Sequence, residues 1–189
     1  ACAEAVLDGS SSATLGGAGD LVLGGALSLG SAGLTKEGQG LATLGSANVF
    51  SGATVVSAGA LRLAHASALG SSSALTVASG AALQLAGGIT YAGVTATTPL
   101  LQNISGSNAW SVGLRPTNGG ALTLRSDAGV LTLNATSTLT GGTNVNAGSL
   151  VLGVSGAIGT GDLALTNNGV LALGAGTGAA NQTVSQLSG

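Results

Sequence analysis

Apolar residues in this chain recur as short alternating triplets and nowhere as a helical stripe. Leu21-Val22-Leu23, Leu61-Arg62-Leu63, Leu75-Thr76-Val77, Leu83-Gln84-Leu85, Leu131-Thr132-Leu133, Leu150-Val151-Leu152, Leu163-Ala164-Leu165 and Leu171-Ala172-Leu173 all share the form. A period of two sends the flanking residues of each triplet to one face, as in a half-buried strand. Gly, Ser and Asn fill the gaps between triplets, where they make helix expensive and turns cheap. The 35 Gly residues supply positive-φ corners at little steric cost. The chain reads as all-β.

Self-comparison extends that reading. Residues 50–70 align with 139–159 without a gap, which sets Leu61 and Leu150 89 positions apart. After a one-residue deletion, 74–85 matches 162–173. Within each copy the first and third triplets begin 22 and 21 residues apart (Leu61 to Leu83, Leu150 to Leu171). A fixed period of this size marks a solenoid, in which short strands form a coil and coils pair with their neighbours. The expectation is one β-solenoid over residues 1–189, with strong copies near 34–85 and 124–173 and a variant region at 86–123. Length over period gives about nine coils of roughly 21 residues, and a spacing near 4.8 Å makes a rod on the order of 40 Å long.

The run 34–70 resembles the passenger-associated repeat of bacterial autotransporters. Leu34-Thr35-Lys36, Gly38, Gly40, Leu44, Asn48, Phe50, Gly52, Thr54, Val56, Gly59, Leu61, Leu63 and Ala68-Leu69-Gly70 carry the likeness. A second copy at 126–153 departs in its opening, where Ser126-Asp127 replaces the lysine step. The resemblance implies a right-handed parallel β-helix exported across an outer membrane to the cell surface. The membrane β-barrel of that family has no counterpart in this sequence, as expected of a released or excerpted passenger segment.

Composition excludes several roles. Four basic residues (Lys36, Arg62, Arg115, Arg125) and six acidic ones leave a net charge of −2 with no basic cluster. That is no footprint for nucleic acid or an anionic membrane. The window 74–94 is apolar but interrupted by Thr76, Ser79, Gly80, Gln84, Gly87 and Gly88, poor material for a spanning helix. The absence of Met and of a leader reads as a processed or internal segment. Cys2, the single cysteine, is either an incidental small residue or a handle for an intermolecular crosslink.

Catalysis needs convergent polar groups, and few can converge here. His65 is the one histidine and aligns with Val154 of the second copy, which favours a turn over a base. Lys36 belongs to the repeat opening. No metal constellation is spaced for binding, and Gly16-Gly17-Ala18-Gly19-Asp20 places its acid wrongly for a calcium roll. The stretch 174–178 lacks the lysine of a phosphate loop. The scattered acids do not pair as glycoside hydrolysis requires. No enzyme and no cofactor is expected.

Tyr91 and Trp110 could stack on sugars from the side of the rod, or Trp110 could fill the aromatic position of its repeat as Phe50 does. Sequons begin at Asn103, Asn134 and Asn181, which Ser- and Thr-rich chains produce by chance. Neither end reads as a helical or strongly charged cap, so the coil edges favour continuation or end-to-end self-association. The leading expectation is an extracellular stalk or filament segment. The alternative is an adhesin that binds glycan or a host protein through the side of the solenoid.

Overall fold

A three-residue strand satisfies few backbone groups by itself, and these triplets find partners one coil away. The computed structural model describes residues 3–8, 12–98, 100–115, 122–126, 129–139, 143–174 and 187–188. Its strands stack into three faces. The first face carries Ser12–Gly17, Gly33–Lys36, Thr54–Val56, Leu75–Val77, Ala96–Thr97 and Leu114–Arg115. The second is a nine-stranded sheet running from Leu21–Leu23 through Leu41–Leu44, Ala60–Leu63, Ala82–Leu85 and Leu100–Asn103 toward Leu163–Thr166 and Leu187–Ser188. The third begins with Ser28–Gly30 and Val49–Phe50, then resumes as Thr90–Tyr91, Ser107–Trp110, Val130–Leu133, Ser149–Leu152 and Val170–Leu173.

This is the expected parallel β-solenoid, with no helix among the described residues. It makes about seven turns rather than nine. The first residues do not form a coil: Ala3–Asp8 pairs antiparallel with Ser12–Gly17, the one antiparallel pairing among the described strands.

Register stacks like on like. Leu61, Leu83 and Leu101 are successive partners on the second face, and all three are buried. On the third face Tyr91, Trp110, Leu133 and Leu152 form one inward column. The corner between first and second faces repeats a glycine every 21 residues, at Gly17, Gly38, Gly59 and Gly80, with φ of 92°, 72°, 66° and 83°. The requirement is steric as well as conformational, since a Cβ at Gly38 would run into the Gly17 carbonyl.

The two sequence copies do not sit on the same faces. Leu61 reaches Val145 through four registered steps, by way of Leu83, Leu101 and Leu124. Its sequence equivalent Leu150 lies five residues further on, on the next face. Gly33–Lys36 and Leu41–Leu44 occupy the first and second faces, whereas Leu122–Ser126 and Val130–Leu133 occupy the second and third. The second copy is turned by one face about the axis, and its local bonding travels with it. The Leu27 amide donates to Asn48 Oδ1 at 2.8 Å, and the Leu114 amide donates to Ser137 Oγ at 3.1 Å. Asn48 N donates to Ser67 O, as Ser137 N does to Gly156 O. The turn after Leu63 separates the two parts of the third face. Its equivalent after Leu152 instead lies beside Ser137 and Leu139, beyond the last strand of the first face.

One difference between the copies leaves a mark. Thr54 points inward between Leu34 and Leu75, and its hydroxyl meets Ser72 Oγ at 3.0 Å. Its equivalent Thr143 is equally buried, but the position of Ser72 is taken by Gly161, and the Thr143 hydroxyl has no partner. An unmet buried hydroxyl costs about 1–3 kcal/mol. Thr143→Val should therefore leave stability unchanged or raise it by about 1 kcal/mol, while Thr54→Val should lower it by about 1 kcal/mol. Urea denaturation followed by circular dichroism checks this; equal effects at both positions would contradict it.

Candidate functional site

Each residue that sequence reasoning singled out has a definite place in the solenoid. Tyr91 and Trp110 are registered partners on the third face, with ring centroids 4.4 Å apart and planes 23° from parallel. Both are inward, at 2% and 1% exposure. This corrects the expectation that they could meet a ligand: the alternation of their strands turns both rings into the core, where they stack on each other. The Val94 amide donates to the Tyr91 hydroxyl at 3.2 Å, while the indole N–H of Trp110 is buried without a partner. Gly93 is required beside the ring, because a Cβ there would press on the phenol. Cys2 lies outside the described residues, as do Asn181 and the stretch 175–178.

Lys36 occupies an inward position between Leu15 and Val56 and is 2% exposed. Its ammonium turns back to the corner and donates to the carbonyls of Glu37 at 2.7 Å, Gly38 at 2.8 Å and Ala58 at 3.3 Å. Ala58 belongs to the next coil, so one cation ties two coils at a corner. Burial lowers the Lys36 pKa below its ordinary value, and the neighbouring Glu37 charge opposes that shift. An ammonium saturated by carbonyls is a brace for the corner rather than a partner for a nucleophile.

His65 sits in the turn after Ala60–Leu63, where its Nδ1 accepts the Ser67 amide at 3.0 Å. Asp20 Oδ1 accepts the Leu41 amide at 3.0 Å, closing the corner below it. Asn103 is buried, whereas Asn134 is exposed. Among the described residues no group of three or more His, Cys, Asp or Glu could hold a metal ion, and no helix is long and apolar enough to cross a membrane. A shallow, open depression of about 350 Å³ lies over Val49 and Phe50 beside the turn after Leu63.

Sequence reasoning missed the most organised surface feature. Thr43, Arg62 and Gln84, all outward, and Gln102, which is buried, are successive partners in one column of the second face, whose backbone register continues to Arg125. Arg62 Nε donates to Gln84 Oε1 at 3.0 Å, and Gln84 Nε2 donates to Gln102 Oε1 at 2.9 Å. The signal was present as the central residues of successive triplets, but the steps of 22, 18 and 23 residues hide it from a scan for clustered charge. Further along the same face Thr166 Oγ1 lies 3.2 Å from both Asn144 Oδ1 and Asn146 Oδ1.

Compared with known families, residues 34–63 and 125–152 match the model described as Passenger-associated-transport-repeat. The two stretches are the copies that the structure places one face apart. Neither the curated proteins nor the solved structures include a match to the chain.

Two outcomes follow from the ring pair. Trp110→Ala should cost about 3–5 kcal/mol, as for a large aromatic removed from a core, read as a lower urea midpoint. Burial raises the Tyr91 pKa above its ordinary value. The folded chain thus holds this proton above pH 10, the ordinary value, where the unfolded chain releases it. Stability contributed by Tyr91 is present below pH 10 and is lost as pH rises through that value toward the raised one. Tyr91→Phe should remove that alkaline loss while keeping the stack; an unchanged alkaline profile in denaturation titrations would contradict the assignment.

Proposed function

We propose, taking residues 34–63 and 125–152 as passenger-associated transport repeats, that this chain is a β-helical stalk or filament segment of an exported surface protein. The observation that carries the reading is the stacking of coils along one axis, continuous through the nine strands of the second face. Corner groups that could face a ligand are instead spent between coils: the Lys36 ammonium, the Asn48 amide and the Ser137 hydroxyl each bond backbone of another coil. A structure built this way supplies reach and stiffness.

Self-association is part of the proposal. The coil that contains Leu21–Leu23 and the coil that contains Val170–Leu173 leave Val22, Val170 and Leu173 at 71%, 52% and 60% exposure. Among the described residues Leu21–Leu23 and Val170–Leu173 are each the last strand of their sheet, and such edges beside exposed apolar side chains favour another coil, either from the same chain or from a second copy. Catalysis has no part in this reading, and cleavage of a glycan by the purified chain would overturn that exclusion.

Negative-stain electron microscopy at several protein concentrations tests the stalk. Rods that lengthen with concentration, with axial spacing near 4.8 Å by fibre diffraction, are the expected result. Short rods at every concentration would remove self-association but keep the spacer role, whereas round particles would defeat both.

A further inference from the structure

We propose that the second face binds a linear polyuronate laid along the solenoid axis, with Arg62 holding a carboxylate and the Gln84–Gln102 pair meeting hydroxyls. The inference starts from register. Outward positions of this face form two parallel ranks. One is polar and runs Thr43, Arg62 and Gln84 to the buried Gln102. The other is apolar and runs Leu41, Ala60 and Ala82, with Leu100 on the following strand. Neither rank contains an acid, in a chain whose formal charge is −2.

Hydrogen bonding fixes the polar rank. Arg62 Nε is engaged by Gln84 Oε1, which holds the guanidinium in line with the rank and leaves its terminal nitrogens for a carboxylate. Gln84 in turn donates to Gln102, whose side chain is 8% exposed, so the amides enter a binding event already ordered. No ion pair to Arg62 occurs among the described residues.

The geometry favours a polymer over a small anion. The ranks follow one face across successive coils about 4.8 Å apart, so that every second coil lies about 10 Å on. A linear sugar chain of similar repeat can set its hydrogen-bonding edge on the polar rank and its C–H face on the apolar one. A uronate is the sugar that also answers the arginine.

Affinity electrophoresis of the whole chain through gels containing alginate tests this, with dextran as the neutral control and duplex DNA as the non-sugar polyanion. Retardation by alginate but not by dextran or DNA is expected. Arg62→Gln should weaken it about tenfold, the loss of one charge-assisted contact. Gln84→Glu, which places a negative charge inside the rank, should abolish it. Thr76→Ala, on the first face, should change nothing. Salt of about 1 M, where screening acts within about 3 Å, should release the polymer. Thermal melts of each variant separate lost binding from lost fold. Equal retardation of wild type and Gln84→Glu, retardation by dextran, or preference for DNA would overturn the proposal. The inference does not depend on the stalk reading, because rod length and retardation are measured separately.

Discussion

Everything in this structure depends on the parallel backbone ladder between one coil and the next. A strand of three or four residues cannot bury enough surface to persist alone, and here each one is completed by the same position of the neighbouring coil. Because contacts are local along the axis, stability is a sum over neighbouring coils rather than a property of one central core. The ladder also dictates composition. An inward position stacks on inward positions above and below, so a polar side chain there must find its partner within the column or at a corner. Lys36 and Thr54 succeed by reaching a corner carbonyl and a serine. Thr143 and the Trp110 indole show what remains when no such partner is supplied.

The fold was legible because alternation and period are one-dimensional signals. L-x-L triplets at intervals near 21 residues already specify strands, coils and pairing. The sequence carries no equivalent signal for which face a triplet occupies. Leu61 and Leu150 are the same letter in the same motif, yet one belongs to the second face and the other to the third. Face is set by the running sum of turn lengths, which here puts Leu150 five residues past Val145, a member of the Leu61 column.

The candidate site was less legible, for the same reason. Tyr91 and Trp110 stand apart from the apolar triplets in sequence, and only their register shows that they are core neighbours. Arg62, Gln84 and Gln102 look like isolated polar residues between leucines. They become a rank only when coils of unequal length are laid over one another. Lys36 belongs to the repeat opening, but its inward direction is invisible in a pattern that records only which residue types recur.

The displacement of the second copy by one face has a geometric consequence for any array repeated at this interval. Each step of 89 residues advances four coils and rotates the motif by a third of a circuit. Equivalent side chains then trace a slow spiral around the shaft instead of a straight seam, and three steps bring the motif back to its starting azimuth. A seam would give such a shaft one weak plane and one sticky edge. A spiral distributes both around the circumference, so bending stiffness becomes nearly the same in every direction.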